Sequence, residues 1–231
     1  MRKLLNTSQM LTSNGLAMVC EIPKLIRDLK FPALTGAGGA TRKLLAKDGF
    51  PSWVSFRQRM LLQQNPSHMK PNVVVAKYGC GKYKSINQAL KEVPKNNASP
   101  FVIHIKAGVY NEQVLVDKYM SNFVFIGDEP TNTIVTSHLN FIDGTSTFKS
   151  ATAAVIGTKF MARGIGFENT AGGIKHQAVA LKVQGDKAIF HNCQMDGYQD
   201  CKLYRECTVT GTVDYIFGNS ATIIQNCKLI S

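Results

Sequence analysis

The chain has 231 residues, of which 44% are hydrophobic, and it carries a formal net charge of +12. This size and composition predict one main domain with an appendage, and no apolar run approaches the ~18 residues that would predict a membrane span. Residues 1–69 contribute +7 of the charge and residues 70–231 only +5; the main domain therefore suits weak attraction to an acidic polymer better than nucleic-acid binding, which needs a dense basic stripe.

The N-terminal part is predicted to be a short helical segment followed by a linker. Residues 1–30 place apolar side chains at roughly helical spacing, interrupted at Pro23. The start, MRKLLNTSQMLTSNG, lacks the apolar region of a signal peptide, so any secretory signal is expected upstream of this chain. Residues 31–69 are rich in Gly, Pro and basic residues, which is typical of a linker.

Two similar patches in this predicted linker combine basic residues with a leucine pair. They are Arg42-Lys43-Leu44-Leu45 and Arg59-Met60-Leu61-Leu62. Exposed flexible linkers are where proteases cut, so both patches are candidate processing sites. The alternative is that their charges simply solvate the linker.

From Asn72 onward the sequence predicts short strands and one helix. The helix is SINQALKEV, and the strands are NVVVAK, FVIHIKAG, FVFIG, AAVIG, IGFENT, AVALKV, AIFHNC and ATIIQNC. Similar residues recur at nearly equal intervals, from Asn169 to Asn192, from Gln177 to Gln199 and from Cys207 to Cys227. This repeat favours stacked coils of a parallel β-helix over a β-sandwich, for which few hairpin turns are found.

In such a stack, residues one repeat apart lie on adjacent coils about 4.8 Å apart. We therefore expect Gln177 beside Gln199 and Asp200 on one outer face. The same reasoning places Cys207 next to Cys227, within reach of a disulfide, with two buried free thiols as the alternative. The six cysteines form no CxxC pair, so no zinc site is expected.

The stretch GYQDCKLYRECTVTGTVDYIFGN places Asp200 and Asp214 close together in strand and turn sequence. No GxSxG, HExxH or dinucleotide fingerprint occurs in the chain. Two carboxylates with nearby glutamines could supply a nucleophile, a general acid/base and amides for an oxyanion. The alternative is a pair of solvated turn residues.

Several motifs decide between these alternatives. GVYNEQV, GTSTFKSATAAV, FENTAGGIKHQAVAL, GYQD and GTVDYIFGN occur in this order between residues 108 and 219. Over about residues 70–231 the chain resembles the pectin methylesterases, carbohydrate esterases of plant cell walls. Residues 1–30 resemble the tail of the inhibitor-like pro-region of the longer plant forms. Arg42-Lys43-Leu44-Leu45 and the degenerate Arg59-Met60-Leu61-Leu62 lie where that family is processed.

The resemblance implies a right-handed parallel β-helix that hydrolyses methyl esters of homogalacturonan and releases methanol. It further implies a secreted enzyme of the cell wall, or apoplast, without a metal or other cofactor. The implied partners are pectin, a proteinaceous inhibitor and a processing protease, and no nucleic acid or membrane is expected.

Carried over by motif, the resemblance also assigns roles to residues. Asp214 is the nucleophile, Asp200 is the general acid and then the base, and Gln199 with Gln177 stabilises the tetrahedral intermediate. Thr147 matches a substrate-binding position, and Tyr198 and Tyr215 offer apolar faces to sugar rings, unless they are packing residues. The acid must hold a proton beside an ionised nucleophile, a condition that a neighbouring like charge provides by raising its pKa.

Two departures from the family pattern keep an alternative open. The segment from Asp200 to Cys207 is several residues shorter than in the family, and the interval from Asp200 to Asp214 falls well below the repeat found elsewhere in the chain. We expect this interval to be too short for one coil, which would displace Asp214. The family pattern also continues past Ser231 with an arginine and a tryptophan, so a C-terminally truncated domain is predicted. The alternative function is a catalytically impaired pectin-binding relative; a polygalacturonan hydrolase or lyase would need denser aspartates or calcium-binding carboxylates.

Overall fold

The structure is a computed structural model that describes residues 50–51, 53–64, 70–175, 178–196, 203–211 and 223–230. The chain divides into two units, Met1–Pro51 and Ser52–Ser231. The predicted helical segment 1–30 and the patch at residues 42–45 lie outside the described residues. No helix among the described residues is long and apolar enough to cross a membrane.

The second unit is a stack of parallel strands. In the described residues the first sheet contains Val73–Val75 (β1), Phe101–Ile105 (β2), Phe123–Gly127 (β5), Met161–Arg163 (β8), Ile189–His191 (β11), Leu203–Arg205 (β13) and Ile223–Gln225 (β15). The second sheet contains Gly108–Asn111 (β3), Thr133–Ser137 (β6), Gly166–Asn169 (β9), Gln194–Asp196 (β12), Thr208–Thr210 (β14) and Lys228–Ile230 (β16). The third contains Val114–Val116 (β4), Ala153–Val155 (β7) and Leu181–Val183 (β10).

Each strand pairs in parallel with strands one coil away, so the chain winds through the sheets in turn as a β-helix. Parallel crossovers of this kind are right-handed because of the twist of the strands. Side chains alternate along each strand, and those that point inward form one continuous core. The predicted all-β fold, a right-handed parallel β-helix, is confirmed.

The centre of the core is a column of aromatic rings from successive coils. Phe123, Phe125 and Phe160 pack with centroids 4.9–5.5 Å apart. Phe190 continues the column at 5.7 Å from Phe160, and Tyr204 follows at 5.9 Å from Phe190. Rings at these separations contribute attraction beyond their buried area. Stacking of like side chains from coil to coil therefore holds the first sheet in register.

The helices found among the described residues are Phe56–Gln63 (α1) and Ile86–Leu90 (α2), with 3-10 turns at Thr147–Lys149 and Gly173–Lys175. The predicted helix SINQALKEV is confirmed as α2, although it is shorter. Its N-terminus is capped from a distant segment: the carboxylate of Glu112 accepts from the backbone N–H groups of Ile86 and Asn87 at 2.7 and 3.1 Å. An acceptor there satisfies amides that have no partner inside the helix.

Helix α1 lies within the segment predicted to be a linker. Its N-terminus carries a capping box, in which Ser55 Oγ accepts from the N–H of Gln58 and Gln58 Oε1 accepts from the N–H of Ser55. This reciprocal cap begins a short helix that has no pronounced apolar face. The sequence prediction missed α1 because it relied on the periodicity of apolar residues.

The tight turn that leads from the first sheet to the second has the same backbone conformation in the coils that begin with β8, β11, β13 and β15. The register aligns Gly164, Asn192, Glu206 and Asn226, and all four have left-handed backbone with φ of 65°, 48°, 56° and 52°. Asn192 and Asn226 are thus equivalent, as their similar sequences suggest. Asn169 is not, because it ends β9. The interval between Asn169 and Asn192 therefore does not measure a coil.

The coils differ in length far more than predicted. From β2 onward the register of the first sheet pairs Phe101 with Phe123, Val124 with Met161, Met161 with Ile189, Phe190 with Tyr204 and Leu203 with Ile223. The coil that begins at Val124 is thus much longer than the coil that begins at Phe190. The predicted regular repeat is therefore wrong, although the interval from Cys207 to Cys227 is one true coil.

The premise that an interval as short as that from Asp200 to Asp214 cannot form one coil is also wrong, because the coil from Phe190 to Tyr204 has the same length. Asp200 and Asp214 themselves lie outside the described residues. Strands β11 and β13, and β12 and β14, pair in register across this short coil. The length difference falls on the passage from the second sheet back to the first. Residues 112–122 make this passage between β3 and β5 and include β4, whereas the shorter segment 197–202 joins β12 to β13. Short and long coils thus share two sheets and differ on the side of the third.

Candidate active site

Most of the predicted site residues lie outside the described residues. These are Gln177, Tyr198, Gln199, Asp200, Asp214 and Tyr215, together with the processing patch of Arg42, Lys43, Leu44 and Leu45. In chain order, the first six all fall between a strand of the second sheet and the next strand of the first sheet. In the earlier coils the same passages carry the third sheet. The residues around the third sheet are therefore the part of the candidate site that the structure describes.

The outer face of the third sheet is formed by a column of three residues. Leu115, Ala154 and Lys182 are register partners, and Leu115 is 56% exposed. The residues on either side of them in β4, β7 and β10 point inward and are buried. Burial lowers the pKa of the Lys182 ammonium below its ordinary value. The face therefore combines a small apolar surface with a partly desolvated cation.

A long loop, residues 138–152, lies beside this face and carries Thr147. Thr147 begins a 3-10 turn and is half-buried, and its carbonyl oxygen accepts from Ser150 Oγ at 2.8 Å. Gln113 Nε2 donates to the carbonyl oxygens of Lys149 and Ala151 at 2.7 and 2.9 Å. Gln113, the glutamine of the motif GVYNEQV, thus anchors the loop to β4, the strand that begins directly after it.

Phe148 follows Thr147 and is 63% exposed. The ammonium of Lys182 lies over the Phe148 ring, and its Nζ is 3.4 Å from the Phe148 carbonyl oxygen. The aromatic ring is therefore held next to the outer face of the third sheet. The sequence prediction missed Phe148, although its place beside Thr147 in TSTF was a usable signal.

Asn169 joins this loop to the segment that leads into β10. Its side-chain amide Nδ2 donates to the carbonyl oxygens of Leu139, Ser150 and Val179 at 3.0, 3.2 and 3.2 Å. Its Oδ1 accepts from the N–H of Ala171 at 3.1 Å. The side chain is buried, so these bonds replace water for carbonyl groups at both ends of the loop and in the segment before β10. The asparagine of FENT is therefore a positioning residue for the loop 138–152 and for the segment that follows β9.

A salt bridge also joins the loop 138–152 to the segment that follows β9. Lys175 Nζ is 2.6 Å from Asp143 Oδ1, and Asn140 Nδ2 donates to Asp143 Oδ2 at 2.7 Å. The bonds from Lys175 and Asn140 hold the pKa of the Asp143 carboxyl below its ordinary value. Exposed apolar side chains occur on the same loops: Phe141, Ile142, Phe148 and Ile174. Apolar side chains beside lysines suit a negatively charged ligand whose rings have apolar faces.

The predicted stacking of Cys207 and Cys227 is confirmed by the register of β14 and β16. The N–H of Cys207 donates to Cys227 Sγ at 3.4 Å. Both residues are free thiols in the structure, and the disulfide stays a prediction. Cys193 lies one coil earlier in the same column, which the sequence prediction missed. A hydrogen bond with Cys193 and burial raise the pKa of the Cys207 thiol far above its usual range.

Within the described part of the chain, no three His, Cys, Asp or Glu side chains come close enough together to hold a metal ion. What the described residues do show is a fixed frame. The loop 138–152, the segment that follows β9 and the ring of Phe148 border the outer face of the third sheet.

Comparison with known proteins gives consistent matches. The Pectinesterase family model matches residues 72–231. "Probable pectinesterase/pectinesterase inhibitor 21" of Arabidopsis thaliana is 48% identical over 239 residues, covering 100% of this chain and 35% of the relative. "Pectinesterase" of Petunia integrifolia is 47% identical over 237 residues, covering 100% of this chain and 60% of the relative. The chain thus spans about a third to three fifths of the curated relatives it matches.

Solved structures agree with this result. The pectin methylesterase from carrot matches with a TM-score of 0.66 and 44% identity, covering 70% of this chain and 53% of that one. A pectin methylesterase mutant in complex with a hexasaccharide matches with a TM-score of 0.62 and 29% identity, covering 71% and 56%. With a family match over more than half of its residues, this chain belongs to the pectinesterase family.

Proposed function

We propose that the protein hydrolyses the methyl esters of homogalacturonan in pectin, releasing methanol and leaving acidic pectin in the cell wall. The observation that carries the proposal is the family match over residues 72–231, on a β-helix that resembles the carrot enzyme. Because the chain covers only part of its relatives' length, the activity is proposed for the protein that contains this domain.

In the proposed mechanism, Asp214 attacks the carbonyl carbon of the methyl ester. The tetrahedral intermediate that forms carries a negative charge on oxygen, and the side-chain amides of Gln199 and Gln177 donate hydrogen bonds to it. Asp200 gives its proton to the methoxide as methanol leaves, so that an acyl-enzyme remains. Asp200 then takes a proton from water, the water attacks the acyl carbon, and Asp214 is regenerated as a carboxylate.

In this proposal the substrate lies along the outer face of the third sheet. Thr147 binds it from the half-buried 3-10 turn, and Tyr198 and Tyr215 contact sugar rings. Phe148 is exposed beside Thr147 and provides a further apolar face. The cation of Lys182 at this face attracts the carboxylates of de-esterified units, because charges of opposite sign attract across a partly desolvated surface.

A pro-region, a processing protease and a location belong to the proposal. Several relatives carry both pectinesterase and pectinesterase inhibitor in their names, which supports an inhibitor-like pro-region of which residues 1–30 form the tail. We propose that a protease separates this region near Arg42-Lys43-Leu44-Leu45. A pectin substrate places the protein in the plant cell wall, and the chemistry requires no cofactor.

To test the proposal, the purified protein is incubated with highly methylated pectin, and methanol, new carboxylate groups and the chain length of the polymer are measured together. We expect methanol and carboxylate in equal amounts and no shortening of the polymer. Shortened chains, or the ultraviolet absorbance of an unsaturated product, would replace the proposal with a hydrolase or lyase. Retained pectin binding without methanol would identify a catalytically impaired relative.

A further inference from the structure

A row of basic side chains follows the third sheet, at the turns that lead from it to the first sheet. These turns are residues 117–122, 156–160 and 184–188 in three successive coils. The basic ridge, as we name it, consists of exposed residues: Lys95, Lys118, Tyr119, Lys159 and Lys187. The loop 138–152 precedes β7, whereas these turns follow the strands of the third sheet. The ridge and that loop therefore lie at opposite ends of the strands.

An aromatic ring with two ammonium groups beside it forms one end of the ridge. Tyr119 is 47% exposed, and Nζ of Lys118 and of Lys95 lie 4.9 and 5.9 Å from the centroid of its ring. The segment that carries Lys95 is joined to the turn, because the N–H of Asn96 donates to the carbonyl oxygen of Tyr119 at 2.8 Å. The N–H of Tyr119 donates to Asp117 Oδ1 at 3.0 Å. The backbone that presents the ring is thus held from two sides.

Two further lysines occupy equivalent positions in the next two coils. The register aligns Asn122, Lys159 and Lys187, and all three have left-handed backbone with φ of 53°, 57° and 59°. The side chain of Asn122 is buried and donates to the carbonyl oxygen of Ala98 at 2.8 Å, whereas both lysines are exposed. Left-handed backbone favours Gly and Asn and disfavours Lys. Backbone preference therefore does not explain the lysines, and residues in unfavourable conformations cluster at functional sites.

Close stacking of the turns brings these lysines side by side. A Cβ on Gly157 would collide with the carbonyl oxygen of Met120, and a Cβ on Gly185 would collide with that of Gly157. Coils that approach in this way lie about 4.8 Å apart, which is close to the length of one sugar unit. No salt bridge among the described residues involves a lysine of the ridge. The three turns also carry the exposed Asp117 and Asp186, so four lysines and two aspartates leave the surface positively charged.

We propose that the basic ridge binds de-esterified stretches of homogalacturonan, an inference that rests on the proposed function because this polymer is its product. Carboxylates of successive sugar units face the ammonium groups of successive coils, and the ring of Tyr119 contacts the apolar face of a sugar. A chain held at the ridge stays beside the third sheet. Its remaining methyl esters are then present at a high effective concentration.

The experiment measures the Kd of the full-length chain for immobilised, fully de-esterified polygalacturonate by biolayer interferometry at low ionic strength, where charges are weakly screened. The double variant Lys159→Gln/Lys187→Gln should bind about fivefold more weakly, because it loses two exposed ion pairs. Lys159→Arg/Lys187→Arg keeps both charges and should bind like the parent. The matched control is Lys106→Gln/Lys228→Gln, which removes two exposed charges after β2 and at the start of β16 and should change the Kd by less than about twofold.

Tyr119→Ala tests whether the ridge recognises sugar as well as charge. It should weaken binding to polygalacturonate but leave binding to polyglutamate, an acidic polymer without sugar rings, unchanged. An equal loss for both polymers, or no loss for either, would overturn the assignment of a uronate polymer as the ligand.

Equal weakening in Lys159→Gln/Lys187→Gln and in Lys106→Gln/Lys228→Gln would also overturn the proposal, since it would show general charge attraction only. So would unchanged binding by a Lys159→Gln/Lys187→Gln variant that a thermal scan shows to be folded. The polygalacturonate is supplied already de-esterified, so binding does not depend on catalysis. Binding that depends on the ridge without methanol release would contradict the proposed function alone, and methanol release without such binding would contradict this inference alone.

Discussion

Replacing Asn169 by alanine tests whether one buried amide organises the candidate site. The change removes the donor that serves the carbonyl oxygens of Leu139, Ser150 and Val179. A buried acceptor left without a donor costs about 1–3 kcal/mol. Val179 O also accepts from the N–H of Thr152 at 2.9 Å and keeps that bond. Two carbonyls therefore lose the interaction, and partial entry of water reduces the sum.

We expect the free energy of unfolding to fall by about 3 kcal/mol, which for a domain of this size lowers Tm by about 6–12 °C. Urea unfolding followed by circular dichroism measures the first quantity, and a thermal scan measures the second. Asn169→Asp should be at least as damaging, because a carboxylate would face carbonyl oxygens. Asn111→Ala, at the exposed end of β3, is the matched control and should change stability by less than about 0.5 kcal/mol.

The same variant should loosen the two loops before the β-helix unfolds. Hydrogen exchange of residues 138–152 should become faster in Asn169→Ala at a temperature where β5, β8 and β11 remain protected. An unsatisfied buried acceptor costs at least about 1 kcal/mol. If the free energy of unfolding falls by less than this and hydrogen exchange in the loop is unchanged, Asn169 is not the residue that positions the loop 138–152.

Three further predictions follow from other contacts. Glu112→Ala removes the distant cap of α2 and should lower the free energy of unfolding by about 2 kcal/mol in a urea titration; an unchanged midpoint would contradict the cap. Burial lowers the pKa of His191 below its ordinary value of about 6.5, despite the opposing charge of Glu206. The folded protein therefore favours the neutral imidazole, and stability is lost as the pH falls below about 6.5. Between about pH 7 and pH 5, His191→Gln should lose less stability than the parent, and an equal loss would contradict this. Non-reducing peptide mapping of secreted protein should find Cys207 bonded to Cys227, and alkylated Cys207 would exclude that pair.

The sequence predicted those strands in which apolar residues run continuously. FVFIG, FVIHIKAG and AAVIG are largely buried and form β5, β2 and β7. Short strands such as β12, β13 and β14 were not predicted individually, because each shows too little alternation to distinguish a strand from a turn. Their pairing depends on the coils above and below.

The period was misjudged because similar residues occupy different places. Asn169 and Asn192 both end or follow short strands, yet one buries its amide between loops and the other adopts a left-handed turn. Asparagine suits both roles, so local sequence does not separate them. Helix α1 was missed because its capping box and the distant Arg163 fix it, and neither depends on apolar periodicity.

Sequence motifs predicted the residues of the candidate site, but only the structure showed the contacts that hold its loops in place. TSTF, FENT and GVYNEQV named Thr147 and marked the neighbourhood of Asn169 and Gln113. The roles of the last two as ties between loops depend on contacts between segments far apart in the chain. Such contacts are decided by how the coils stack, which no single motif encodes.

The most direct test of the assigned nucleophile is the rate of methanol release from methylated pectin by the protein and by its Asp214→Asn variant. We expect the parent protein to release methanol and the variant, with the same Tm, to be slower by at least about a thousandfold. A carboxamide cannot form the acyl-enzyme, and loss of a catalytic nucleophile has effects of this size or larger. Methanol release at the parental rate by a folded Asp214→Asn variant would contradict the assignment of the nucleophile and, with it, the proposed mechanism.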